Sequence, residues 1–185
     1  VGVAAGAEPD SLLLAWAVLG EGGYRVGLDR YLVGDAGAVA TGSREVLALP
    51  LEDEAGPTSL ADLAVSVAPD GSAALVGVTI TRNPPAPSER RLAVLRLDAG
   101  AAAGEAIGEP RALPPQAASS GSGPASPGAV GGAGVPCGGA LGEGWASAEQ
   151  IFVVCPGGSA AALRRLDAGT AGTPAGGPGT VVGTR

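Results

Sequence analysis

The side chains that could perform catalysis are few in this sequence, and their types restrict the chemistry. The 185 residues contain no histidine and no lysine, so all eleven basic residues are arginine. Without histidine there is no Ser-His-Asp or Cys-His nucleophile. Without lysine there is no Ser-Lys dyad, no Schiff base and no P-loop lysine. The sequence therefore excludes several large enzyme classes and predicts a non-catalytic protein.

Carboxylates are the remaining groups with catalytic potential, and they are densest at Glu52-Asp53-Glu54. A glycosidase needs two carboxylates ~5–10 Å apart across a sugar site. A solvated acidic turn is the favoured interpretation, because the Asp-x-Asp-x-Asp-Gly spacing of a calcium loop is also missing. The Gly-rich segments at 131–134 and 138–139 do not follow a strand and open a helix, so we predict loops there and no cofactor.

Cys137 and Cys155 are the only cysteines. An even count favours a disulfide in an oxidising compartment, which predicts a location outside the cytoplasm, either secreted or associated with the cell envelope. Two buried, unpaired thiols are the alternative. A metal site would need further cysteine or histidine ligands.

Aromatic side chains make up only 3% of the chain. Trp16 and Phe152 lie in apolar segments and are predicted to be core residues. Trp145 follows Gly142-Glu143-Gly144, and this glycine-rich setting suggests an exposed ring that serves as a ligand platform.

Composition and charge restrict the classes of partner that the protein can have. The net charge is −7 and the isoelectric point is about 4.5, which argues against binding to nucleic acid. The longest apolar run, Ser11 to Leu19, is shorter than the ~20 residues of a membrane helix, so no transmembrane segment is predicted. Because the sequence starts with Val1 and not with methionine, we expect a processed protein or a fragment of a longer one.

Three segments repeat the same order of signals, and we divide the chain into a single β-repeat domain of units at about 1–56, 57–115 and 129–185. A Gly/Ser/Pro-rich loop at 116–144 separates the last two. Each unit combines a turn, a buried apolar strand, an alternating strand and a closing strand, which predicts a four-stranded antiparallel meander. Pro9 aligns with Pro69 across the first two units. For Leu12–Leu19 and Ala160–Leu166 a helix is the alternative, since short apolar runs suit both structures.

The segment from Val65 to Val76 contains a strand, an Ala-Pro-Asp-Gly turn and a second strand. It resembles the WD40-like β-propeller repeats of TolB-type and bacterial lipoprotein propellers, with partial copies at Ala7–Leu14 and Ala148–Val154. The resemblance implies an all-β protein of about three four-stranded, propeller-like blades. Because propellers use four to eight blades, it also implies a fragment of a larger ring.

These observations favour a non-catalytic interaction module outside the cytoplasm, whose loops, above all 116–144, bind a protein or a surface polymer. The alternatives are an accessory propeller of a larger secreted hydrolase and a structural subunit of an extracellular fibre. The sequence leaves the oligomeric state open.

Overall fold

The structure is a computed structural model. It describes residues 1–6, 8–53, 56–82, 89–98, 107–108, 110–112, 142–157, 160–167 and 180–184. Within these residues every regular element is a β-strand and none is a helix. The prediction of an all-β protein is confirmed.

Sheet 1 is an antiparallel meander of four consecutive strands. They are β1 (Gly2–Ala5), β2 (Ser11–Gly20), β3 (Gly23–Gly34) and β4 (Gly37–Leu49). The apolar run for which a helix was the alternative is thus a strand. Gly23 (φ 132°) and Gly37 (φ 116°) each begin the strand that follows a tight reversal, in a conformation that favours glycine.

Sheets 2 and 3 are also built from consecutive antiparallel strands. Sheet 2 consists of β5 (Glu52–Asp53), β6 (Gly56–Val67), β7 (Ala73–Arg82), β8 (Glu89–Arg96) and β9 (Arg111–Ala112). Sheet 3 consists of β10 (Gly142–Ser147), β11 (Gln150–Gly157), β12 (Ala160–Asp167) and β13 (Thr180–Thr184). The second segment with a helical alternative is therefore a strand as well.

Sheet 2 lies between the other two sheets, because its two faces belong to different apolar clusters. One cluster joins Leu13, Ala15, Val26 and Leu28 of sheet 1 to Ala74, Val76, Val78, Ile80, Ala93 and Leu95 of sheet 2. The other joins Leu75, Leu92 and Val94 of sheet 2 to Ile151 and Val153 of sheet 3. The alternation predicted for residues 92–95, with apolar side chains on both faces of a strand packed between neighbours, is confirmed.

Trp16 and Phe152 are half-buried and lie outside both clusters, so the prediction that they are core residues is wrong. The reason is the two-residue period of a strand. Each follows a fully buried residue, Ala15 or Ile151, and therefore points to the opposite face. The Trp16 indole lies over Gly27, its cross-strand partner, where a Cβ atom would collide with the ring.

The turn at Pro69-Asp70-Gly71 forms as predicted, with Gly71 at a φ of 74° and its N–H donated to Ala68 O over 2.8 Å. In sheet 1 the matching turn is shifted. In sheet 2 the turn is spanned by a hydrogen bond from the Ala68 N–H to Ala73 O. In sheet 1 the equivalent hydrogen bond runs from the Gly6 N–H to Ser11 O. Asp10 therefore occupies the position of Ser72, and its own φ of 65° supplies the reversal. Aligning Pro9 with Pro69 misplaces the repeat by two residues.

Asp70 is expected to make this turn sensitive to acid. Its Oδ1 accepts hydrogen bonds from Ser72 N (3.1 Å) and Ser72 Oγ (2.8 Å). These bonds favour the carboxylate and hold the pKa of Asp70 below its ordinary value of 3.8. A lowered pKa in the folded state gives a contribution to stability that is present above the unfolded pKa and is lost as the pH falls through the folded pKa.

We therefore expect Asp70→Ala to lower the Tm by a constant amount at neutral pH, and this difference from the unmodified protein to shrink below pH 3.8. Thermal unfolding followed by circular dichroism over a pH series measures it. Ser72→Ala is the matched control, because it removes the Oγ donor and keeps the N–H, so its difference should show a weaker pH dependence. A difference for Asp70→Ala that stays constant down to about pH 2 would contradict this account.

Candidate functional site

The most deeply buried charge among the described residues is the guanidinium of Arg90, on β8. Its Nε donates to Glu143 Oε2 over 3.1 Å, and its Nη2 binds Glu143 Oε1. Its Nη1 donates to Thr79 Oγ1 over 2.7 Å and to Asp62 Oδ2 over 3.0 Å. Because Glu143 belongs to β10, this two-pronged ion pair joins sheet 2 to sheet 3.

Gly77 makes room for this ion pair. It lies in the middle of β7, a buried strand where glycine is otherwise unfavourable. A Cβ atom at this position would collide with Glu143 Oε1 and lie 2.9 Å from Arg90 Cζ. The missing side chain therefore allows the two charged groups to cross the face of the sheet.

Trp145 lies two residues beyond Glu143 on the same strand. Its ring is half-buried against the cluster between sheets 2 and 3, and its Nε1 donates to Ser66 O over 3.4 Å. The structure places the ring at the junction of β10 and β6. Its use as a ligand platform stays a prediction.

Two arginines of sheet 1 donate to backbone carbonyls of the segment between β8 and β9 of sheet 2. Arg30, on β3, donates to Asp98 O over 3.2 Å and pairs with Glu8 over 2.7 Å. Arg44, on β4, donates from Nε and Nη2 to Ile107 O over 3.3 and 3.2 Å. Arginine side chains thus link the sheets at both junctions.

Only part of the acidic cluster considered in the sequence lies among the described residues. Glu52 and Asp53 form β5, whereas Glu54 lies outside those residues. Elsewhere Asp29 accepts hydrogen bonds from Ser43 Oγ (2.6 Å) and Tyr31 OH (3.3 Å). The Asp29 charge, with a smaller effect from burial, raises the pKa of Tyr31, so this phenol keeps its proton to a higher pH than an unperturbed tyrosine. No group of three metal-ligating side chains occurs in the part of the chain that the structure describes.

The cysteine prediction falls largely outside the described residues. Cys137 is not among them, and of Cys155 the structure gives the backbone pairing with Ala162 in β11 and β12. The disulfide stays a prediction. The same holds for most of the loop at 116–144, of which the described part, 142–144, begins β10.

A cleft of about 470 Å³ opens beside the reversal between β2 and β3. Its lining includes the apolar groups of Tyr24, Leu49 and Pro50 and the charged groups of Glu21, Arg25 and Glu45. Arg25 donates to Glu45 Oε2 from Nε over 2.8 Å, and both side chains are exposed. Tyr24 is half-buried against the cluster between sheets 1 and 2 and lines the cleft beside exposed ionic groups, a combination that can bind a sugar or a peptide side chain. Sequence reasoning missed this site; its only local signal is the aromatic that follows Gly22-Gly23.

Comparisons of the chain with protein-family models, with curated proteins and with solved structures find no match. Among the described residues, no helix is long and apolar enough to cross a membrane.

Proposed function

We propose that this chain is a non-catalytic scaffold of the propeller type that acts outside the cytoplasm and binds a protein or a surface polymer through its loops. The stacking of three consecutive antiparallel sheets supports the proposal. The first long strands of the three sheets also approach one another, since β6 contacts both β1 and β10. This is the relation expected of the inner strands of neighbouring blades.

The observation that carries the proposal is the burial of the two central strands of sheet 2, β7 and β8, on both faces. A strand that is covered on both sides offers no side chain to a partner, so binding falls to the loops that the rigid sheets hold in place. The cleft beside the β2–β3 reversal is one such place. The segment 116–141, which the sequence predicts to be a loop and which directly precedes β10, is the longest candidate.

The charge distribution indicates the kind of partner. The net charge of −7 favours a basic protein surface over an acidic one. The arginines at the sheet junctions pair with carboxylates or backbone carbonyls. These contacts favour a structural role for the arginines over a role in binding anions.

The proposal is tested by binding of the immobilised protein to a panel of basic proteins and envelope polysaccharides. Replacing residues 116–141 by a glycine–serine linker is expected to weaken the affinity for the bound class by at least about tenfold, ~1.4 kcal/mol. Tyr24→Ala reports separately on the cleft. The matched control exchanges Asp35 and Ala36, in the reversal between β3 and β4, for glycine and serine and should bind normally.

All variants are first compared by thermal unfolding, so that a lost fold is not mistaken for lost binding. Binding to no member of the panel would overturn the proposal. So would an affinity that is unchanged in both the linker variant and Tyr24→Ala.

A further inference from the structure

The face of sheet 1 that points away from sheet 2, its outer face, contains a tryptophan beside a row of polar groups. The apolar cluster between the two sheets contains Leu13 and Ala15 of β2 but none of the even-numbered residues of that strand. The even-numbered side chains therefore point to the outer face. Its apolar part consists of Val3 on β1 and of Leu12, Leu14, Trp16 and Val18 on β2.

The indole of Trp16 lies flat on this face. A Cβ atom on Gly27, its cross-strand partner, would overlap Cζ2 and Cε2 of the indole and lie 2.7 Å from Cη2. These are three consecutive ring atoms, and one atom approaches all three closely from above the ring and not from its edge. Because a Cβ atom points out of the sheet, one side of the ring lies on the backbone of Gly27 and the other side points away from the sheet.

Packing on Gly27 sets this orientation. The Nε1 of Trp16 is buried and has no hydrogen-bond partner among the described residues, so no polar contact there holds the ring. A flat ring that is supported on one side by the backbone can stack with its other side on an apolar surface of a ligand.

The polar row lies on β3 and β4. Asp29 accepts hydrogen bonds from Ser43 Oγ over 2.6 Å and from Tyr31 OH over 3.3 Å. Arg25 donates to Glu45 Oε2, and both of these side chains are exposed. The register with the even-numbered residues of β2, and between β3 and β4, places all five side chains on the outer face.

These groups keep the capacity to bind hydroxyl groups. A carboxylate can accept about four hydrogen bonds, and the two that Asp29 accepts leave room for others. The hydroxyls of Tyr31 and Ser43 each donate to Asp29 and can also accept. Both bonds from Arg25 end on Glu45 Oε2, so Glu45 Oε1 takes part in neither.

We propose that the outer face of sheet 1 binds a neutral polysaccharide of equatorially linked sugars, with one sugar stacked on Trp16 and the next ones along Asp29 towards Tyr31. Such sugars have apolar C–H groups on their flat faces, which match the indole, and hydroxyls at their rims, which match the polar row. Gly27, under the indole, and Tyr31 are four residues apart on β3, ~13 Å, a distance that a short oligosaccharide spans. The proposal goes beyond the proposed function, because it places binding on a sheet face and not on the loops.

The charges favour a neutral chain over other partners. The protein carries a net charge of −7, which disfavours an anionic polymer. An apolar protein surface would remove Asp29, Arg25 and Glu45 from water without replacing their hydrogen bonds with water. The hydroxyls of a neutral sugar replace those bonds.

Isothermal titration calorimetry with cellohexaose and chitohexaose, two neutral oligosaccharides of equatorially linked sugars, tests the proposal. The unmodified protein is expected to bind at least one of them. Trp16→Ala should weaken this binding by about tenfold or more, whereas Trp16→Phe keeps a flat ring and should lose less. Asp29→Ala should weaken it by about fivefold. Val39→Ala is the matched control, at an exposed valine paired with Leu32 and outside the outer face, and should bind normally.

Tryptophan fluorescence locates the ligand, because Trp16 and Trp145 are the only two tryptophans. The change in emission on adding the bound oligosaccharide should persist in Trp145→Phe and disappear in Trp16→Phe. A change that disappears in Trp145→Phe and persists in Trp16→Phe would overturn the proposal and place the sugar at the junction of sheets 2 and 3.

Circular dichroism and thermal unfolding show whether each variant is folded, and Tyr31→Ala replaces Trp16→Ala if the latter is not. Binding of neither oligosaccharide, or unchanged binding by the folded variant, would overturn the proposal. So would binding that is lost when residues 116–141 are replaced by the linker, since the sugar would then belong to the loops. Binding that depends on Trp16 and persists in the linker variant supports the proposal, even if the panel of loop ligands gives no partner.

Discussion

Replacing Arg90 by alanine is expected to lower the free energy of unfolding by about 3–5 kcal/mol. The substitution removes the cation that faces Glu143, whose side chain is only 5% exposed. A carboxylate then remains buried without a charge partner, and this state costs more than the ion pair itself contributes. Urea denaturation followed by circular dichroism measures the loss.

Arg25→Ala is the matched control for this prediction. Arg25 also pairs with a glutamate, Glu45, but the two side chains are 67% and 42% exposed. Water screens such a pair, so its removal should cost less than about 1 kcal/mol. A loss at Arg90 no larger than the loss at Arg25 would contradict a structural role for the buried pair.

A double variant separates the unpaired charge from lost packing. In Arg90→Met combined with Glu143→Met, both charges are gone and side chains of similar length fill the junction. This protein should be more stable than Arg90→Met alone, in which the same stem is present but the buried Glu143 carboxylate lacks a partner. If the two are equally unstable, the unpaired carboxylate does not account for the loss, and the missing hydrogen bonds of the guanidinium to Thr79 and Asp62 do.

The strands and turns could be predicted because their signals are local. In β8, apolar side chains at Leu92 and Val94 alternate with Ala93 and Leu95, and this pattern alone places them on two buried faces. At Pro69-Asp70-Gly71 the fixed φ of proline and the positive φ of glycine define the reversal. Such features depend on neighbouring residues only.

It was harder to predict which face of β2 packs into the core. Its run from Leu12 to Leu19 is apolar on both faces. The sequence therefore does not show whether the even-numbered or the odd-numbered side chains face the neighbouring sheet. The structure covers Leu13 and Ala15 and leaves Trp16 half-buried. The outcome depends on which sheet packs where, and that is a long-range property. The shift of the first turn was missed for a different, local reason, because Asp10 and not a glycine adopts the positive φ.

The ion pair between sheets 2 and 3 was not predicted at all. Arginine is mostly exposed in proteins, and Glu143 is 53 residues from Arg90 in the chain. One signal was present in the sequence, namely Gly77 inside a run of strand-forming residues. A glycine within a buried strand marks a place where another group approaches closely.

Gly77→Ala is therefore the second substitution with a large expected effect, a loss of about 1–3 kcal/mol in the free energy of unfolding. The new Cβ atom would overlap the Glu143 carboxylate and crowd the Arg90 guanidinium. Both groups are the ends of buried side chains, so a shift that relieves the collision lengthens their hydrogen bonds. Gly144→Ala is the matched control, since a Cβ atom there meets nothing within 4 Å. It should change the stability by less than about 0.5 kcal/mol.

A double-mutant cycle shows whether the collision with the ion pair causes the loss. Gly77→Ala is made in the unmodified protein and in a background where Arg90 and Glu143 are both alanine. In that background the space above Gly77 is empty, and alanine is ordinarily favoured over glycine within a strand. The cost should then fall by about 0.5–3 kcal/mol, the range for residues in contact. An equal cost in both backgrounds would show that Gly77 is needed for the backbone of β7 and not for the charges that cross it.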